Sequence, residues 1–176
     1  MTTSRRVRLR PATLDDADLL DSWRVSLESR GTFNDFGEPP SRSYQEMLAK
    51  GPLFDDNSGE LVVEGIEDGR LIGTIGWRAV LNGPVRSRCW NIGISIIPEA
   101  RGHGYGAEAQ RLIAERLFAT TDTNRVEAST DIDNLAEQRA LEKAGFTREG
   151  VLRGAQFRAG RYHDLVVYSR LRDDPA

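Results

Sequence analysis

Arg101-Gly102-His103-Gly104-Tyr105-Gly106 places a glycine at every second position beside an arginine, a pattern suited to holding a phosphate. Glycines let the backbone take φ > 0 and leave its N–H groups uncovered, and Arg101 adds a full positive charge. Ala109, Leu112, Ile113 and Leu117 follow at helical spacing, so the turn falls at a helix N-terminus, where unpaired N–H groups and the macrodipole favour an anion. Ahead of it, Trp90, Ile92, Ile94 and Ile96 alternate with Asn91, Gly93 and Ser95 as in a half-buried strand, which Pro98 stops. Gly102, Gly104 and Ala107 also satisfy the dinucleotide fingerprint G-x-G-x-x-A, with Glu127 about 20 residues on. That fingerprint wants its first glycine directly off the strand and more βαβ units around it. Here Pro98 to Arg101 intervene, and the earlier strands are joined by short turns. A plain turn joining strand to helix is the third reading.

A second candidate lies between Gly31 and Pro40, a stretch too rich in Gly, Asn, Asp and Pro for regular structure. It carries Phe33, Asp35, Phe36 and Glu38, and an aromatic pair beside two carboxylates suits a cationic amine. The competing reading is that both rings pin the loop to the core. The 176 residues are expected to form one domain, 1–176, large enough for a core without disulfides. With 24 basic and 27 acidic residues, net charge −3, nothing points to nucleic acid or to an anionic membrane. Cys89 is the only cysteine and His103 and His163 the only histidines, so no metal-ligand cluster is visible. The polar N-terminus and the lack of a long apolar run fit a cytoplasmic protein.

The elements that must position these residues follow from periodicity. Val7 and Leu9 predict a short edge strand, and Thr13 with Asp16 a helix start before Leu19, Leu20, Trp23 and Leu27. Ser43 to Lys50 predicts a short helix. Leu61 to Glu67 and Arg70 to Val80 predict a hairpin about Asp68-Gly69, continuing through Asn82-Gly83-Pro84 to the Trp90 strand as an antiparallel meander. Arg125 to Thr130 reads as a strand and Leu135 to Ala144 as a helix stopped by Gly145. The last strands are expected over Phe146 to about Leu152 and Tyr162 to Leu171.

Taken together, Ile92 to Gly106 resembles the acyl-CoA-binding motif of the GNAT acetyltransferases, Q/R-x-x-G-x-G/A. Asn134 to Phe146 resembles the next family motif. Val7 to Pro11 with Asp16, Glu149 to Gly154 and Gly160 to Asp164 are similar to the branch containing the ribosomal-protein N-terminal acetyltransferases RimJ and RimL. The resemblance implies an α/β fold with a mixed, largely antiparallel sheet flanked by helices. Its parallel strands, from Trp90 and Arg125, would splay after Ile97 at the acyl-CoA site. It implies that the Ile96 and Ile97 backbone pairs with the pantetheine arm of acetyl-CoA. Arg101, Gly102, His103, Gly104, Tyr105 and Gly106 would hold the pyrophosphate and Asn134 the arm, although Asn134 also reads as an N-cap for Glu137. The oxyanion donor is expected near Ile96 and Ile97.

The catalytic groups depart from the family. Leu141 stands where many members carry a tyrosine acid, Glu137 where the branch has a serine, and Ser129 where some relatives have a glutamate base. Ser129 and Glu137 are the positional candidates, with Glu127 the nearest carboxylate on the strand face of Ser129. An α-amine, with pKa about 8, needs only a modest base. The implied reaction is direct acetyl transfer in a ternary complex to an amine acceptor, a protein N-terminus or a small molecule such as an antibiotic. The resemblance also allows a homodimer. A non-catalytic acyl-CoA-binding module is the other reading of the altered positions.

Overall fold

Seven strands form one sheet in the order β1-β2-β3-β4-β5-β7-β6. The computed structural model describes residues 5–37 and 42–175. Strands β1 (Val7–Arg10), β2 (Ser58–Gly65), β3 (Leu71–Leu81) and β4 (Arg88–Ile96) make the expected antiparallel meander, with β1 at the edge. Between β1 and β2 lie helices α1 (Ala17–Val25), α2 (Leu27–Arg30) and α3 (Tyr44–Leu48), the last two each capped by a serine, Ser26 and Ser43. Asp16 starts this segment as expected, accepting from the Thr13 N–H at 2.8 Å, and it also takes a bidentate contact from Arg10 at 2.7 and 2.9 Å.

Helix α4 (Tyr105–Thr120) packs Ala109, Ile113, Ala114 and Leu117 on the sheet face formed by Leu61, Val63, Ile75 and Ile92. Ala17, Leu20 and Tyr44 cover the other face at Val62. Strand β5 (Arg125–Asp131) runs parallel to β4, the two joined by a crossover through α4. Helix α5 (Leu135–Lys143) then ends at Gly145, φ 86°, with the Phe146 N–H on the Leu141 carbonyl.

The final strands, β6 (Thr147–Arg158) and β7 (Arg161–Leu171), form a hairpin whose first strand extends well beyond the expected Leu152. Gly150, Gly154 and two register shifts break its alternation, so no period marks the second half of β6 as strand. The two-residue turn Ala159-Gly160 has positive φ at both positions, 49° and 79°, matching the twist of a tight hairpin.

The opening between β4 and β5 corrects the expected position. Their ladder holds only Trp90↔Val126, Asn91↔Glu127 and Ile92↔Ala128, so the strands part after Ile92 rather than after Ile97. Beyond that point β5 stays paired with β7 through Asp131↔Leu165, and β4 with β3 through Ile96↔Gly73. Each strand follows its antiparallel partner, and the sheet opens between them. A single parallel pair is also incompatible with the doubly wound parallel sheet of a dinucleotide fold.

Candidate active site

The opened strand pair is the floor of a cavity of about 630 Å³ that reaches from β4 across to β5, α4 and α5. Ile97 N–H bonds to Ile72 on β3, and alternation then turns the N–H and C=O of Ile94 and Ile96 toward the missing β5 ladder. Ile97 is therefore corrected: its N–H is spent on β3 and its side chain is buried in the core. Ile94 and Ile96 are the residues whose backbone faces the cavity. Only a register, invisible in local sequence, distinguishes Ile94 from Ile97.

The glycine turn opens α4 as expected. Gly102 and Gly104 have φ of 79° and 82°, and Gly104 is the N-cap residue of the helix. Gly102, Gly104, Tyr105 and Gly106 line the cavity, whereas His103 does not; its ring stacks on Tyr105, centroids 5.8 Å apart, and its carbonyl accepts from Arg6. Arg101 does line it, but three of its five donors are already engaged. Nε goes to the Ile96 carbonyl at 2.8 Å, and Nη2 to the carbonyls of Ser29 at 2.8 Å and Glu28 at 3.2 Å. The expected phosphate cation is thus a tie between the end of β4 and the last turn of α2. Three other cations stand nearby: Arg139 and Lys143, one helical turn apart on α5, line the cavity, and Arg6 lies over the Tyr105 ring at 5.2 Å.

The residues present fit an acyl-CoA. The α4 N-terminus offers uncovered N–H groups, a Cβ at Gly102 would meet nothing within 4 Å, and a strand edge lies open for an amide-bearing arm. Asn134 lines the cavity while its Oδ1 caps the Glu137 N–H at 3.3 Å and its Nδ2 donates to Thr130 at 3.0 Å.

Ser129 and Glu137 both line this cavity, from β5 and α5. Glu127 does not; it pairs with Arg125 at 3.1 Å below the opening. Burial pushes the Glu137 carboxyl up to about 7, opposed by the neighbouring Gln110 amide. That contact is loose: Gln110, fully buried, has no partner of normal hydrogen-bond geometry among the described residues. The folded protein therefore keeps a proton on Glu137 that the unfolded chain loses. The stability of the ligand-free protein is expected to fall as pH rises from about 4.5 to about 7, with no further contribution from this group above that window. Urea denaturation across that range measures the slope, and Glu137→Gln should flatten it; an unchanged slope in the variant would remove the assignment.

A second cavity, of about 470 Å³, lies on the sheet face carrying α1 and α3. It shares Arg30, Asn34, Gly93, Ile94 and Ser95 with the first, so the two meet at the opened edge of β4. The loop candidates divide between them. Phe33 is half-buried on the first cavity and sits under the Arg158 guanidinium at 5.4 Å. Phe36, 60% exposed, lines the second. Asp35 lines neither and pairs with Arg30 at 3.3 Å. Glu38 lies outside the described residues. Sequence reasoning missed Glu60, which lines the second cavity from β2.

A cleft of this form, a phosphate-type helix start beside an opened parallel strand pair, has room and donors for a ligand with a pyrophosphate and an amide-bearing arm. Residues 6–147 match the family model described as acetyltransferase (GNAT) domain, and the chain belongs to that family of acyl-CoA-dependent N-acetyltransferases. It is 32% identical over 165 residues to the putative ribosomal N-acetyltransferase YdaF of Bacillus subtilis (strain 168), covering 89% of this chain and 86% of that protein. It is 37% identical over 99 residues to the uncharacterised N-acetyltransferase YoaA of the same organism, 56% of this chain and 54% of that protein. Among solved structures, spermidine N-acetyltransferase from Vibrio cholerae in complex with CoA and spermine superposes with TM-score 0.78 at 22% identity, over 96% of this chain and 97% of that one.

Proposed function

We propose that this enzyme transfers an acetyl group from acetyl-CoA to a primary amine, a protein N-terminus or a small molecule, by direct transfer in a ternary complex. The observation that carries the reading is the meeting of two cavities at Gly93, Ile94 and Ser95, one suited to the cofactor and one to the acceptor. Acetyl-CoA would supply an activated thioester. The N–H groups of Gly102 to Gly106, with Arg139 and Lys143, would meet its phosphates. The Ile94 and Ile96 backbone would align the arm, and the Ile94 N–H would face the developing oxyanion.

Glu137, with its proton held near neutral pH, is suited to donate to the departing sulfur, and Ser129 to orient a water. Direct transfer is supported by Cys89, the only thiol of the chain, which is buried and lines neither cavity. The likeness to YdaF favours a protein N-terminus, whereas the small-molecule reading shares its acceptor class with the Vibrio enzyme. No helix among the described residues is long and apolar enough to cross a membrane, and a cytoplasmic location belongs to this reading.

The test is CoA release from acetyl-CoA with a panel of amines. Turnover, with a bisubstrate kinetic pattern of intersecting lines, is the expected result. Tight acetyl-CoA binding without release on any amine would leave a binding module instead.

A further inference from the structure

Glu60 on β2, Gly76 on β3 and Gly93 on β4 are successive cross-strand partners on the sheet face that carries α1 and α3. Partners in register present their side chains to the same face, so two glycines leave a bare trough from Glu60 to the opened edge of β4. Two interstrand steps of about 4.8 Å span it. A Cβ at Gly93 would meet nothing within 4 Å, so its end of the trough is open space. The Tyr44 hydroxyl donates to Glu60 and holds the carboxyl at the far end, and burial pushes that carboxyl above its ordinary range.

Of the three guanidiniums at this trough, two are paired and one is left without an ion pair among the described residues. Among the described residues Arg24, Arg30 and Arg78 line the cavity, with Glu60 the one carboxylate in that lining. Asp21 reaches Arg24 at 3.9 Å and Asp35 reaches Arg30 at 3.3 Å, both from outside the lining. Arg78 lies on the same face as Gly76, two residues along β3, and makes no ion pair among the described residues. An amine attached to an anion would find a partner for each end, Glu60 for the amine and Arg78 for the anion, whereas a polyamine would leave Arg78 unanswered.

We propose that this cavity is the acceptor site for a small amine bearing a carboxylate or phosphate, with Glu60 receiving the amine's proton across the glycine trough. The inference rests on the acetyltransferase reading above and narrows it. One ammonium proton passes through water in the trough to Glu60 and on to solvent. The freed nitrogen pair forms the C–N bond to the acyl carbon, the C–S bond breaks with its electron pair on sulfur, and the nitrogen's second proton ends on that sulfur, directly or by way of Glu137.

The experiment compares β-alanine, O-phosphoethanolamine, ethanolamine and spermidine as acceptors with acetyl-CoA. The two anionic amines separate carboxylate from phosphate, and at least one should exceed ethanolamine and spermidine by about tenfold in kcat/KM. Arg78→Ala should abolish that preference through KM. It should also remove the rise in melting temperature that the preferred anionic amine gives without acetyl-CoA. Glu60→Gln, which retains the shape, should lower kcat by about a hundredfold with KM little changed and erase the acidic limb of the pH profile. Gly93→Val, placed in open space at ordinary φ, should raise the acceptor KM in a folded protein. Spermidine used as well as the anionic amines, or Glu60→Gln retaining full kcat, would overturn the proposal while leaving the acetyltransferase reading intact. CoA release with none of the four nor with any panel amine would remove both.

Discussion

Gly104→Val is expected to weaken acetyl-CoA binding by about ten- to a hundredfold, the affinity equivalent of about 1–3 kcal/mol of backbone strain. Gly104 sits at φ 82° as the N-cap residue of α4, and a Cβ there would lie 3.2 Å from the Arg6 guanidinium. A β-branched residue is rarely found in that conformation. The variant either keeps the strain or relaxes the turn and turns the N–H groups away from their anion. Titration calorimetry on the variant reads the loss directly. Gly102→Ala, at φ 79° in open space, isolates the backbone effect from crowding and should fall between the variant and the parent. Affinity unchanged in Gly104→Val would mean the phosphates are held elsewhere.

The second large effect is on stability. Asp131 at the end of β5, Arg158 at the end of β6 and His163 on β7 form a cluster, each residue no more than 9% exposed. Arg158 pairs with Asp131, and His163 Nδ1 lies 3.0 Å from the same carboxylate. Arg158 also donates to the Thr32 carbonyl at 2.9 Å and covers the Phe33 ring, so the cluster anchors the loop between the two cavities. Asp131→Ala leaves a buried guanidinium without its counterion and is expected to cost about 3–5 kcal/mol. That is a large share of the about 5–15 kcal/mol that holds a domain folded. The double variant Asp131→Ala with Arg158→Met should lose less than the two single losses added, because neither charge is left alone. Denaturant unfolding measures all three. A loss below about 1 kcal/mol for Asp131→Ala would mean that water reaches the cluster.

What was legible in the sequence was local. The alternation from Trp90 to Ile96, the helical spacing from Ala109 to Leu117, and Gly145 as a stop are each decided by neighbours a few residues away, and all three held. The Ile92 parting was not legible, because it depends on β5 being drawn to β7 forty residues later in the chain. Arg101 read as a free cation since its partners, Glu28 and Ser29, lie more than 70 positions earlier. Glu60 looks like an ordinary strand charge in Ser58-Gly59-Glu60-Leu61; only the registers that bring Gly76 and Gly93 beside it give it a site. The Asn134 cap on the Glu137 N–H was legible because a helix start is a local event.

The Arg101 tie makes the two halves of the site interdependent. One guanidinium grips the last residue of β4 and the last turn of α2, which leads into the loop bearing Phe33 and Asn34, so the cofactor turn and the acceptor side share one support. Such interdependence is reciprocal in free energy: whatever factor acetyl-CoA adds to the affinity for acceptor, acceptor must return to the affinity for acetyl-CoA. Cutting the tie with Arg101→Met is expected to lower that shared factor, leaving only the coupling carried where the two cavities meet.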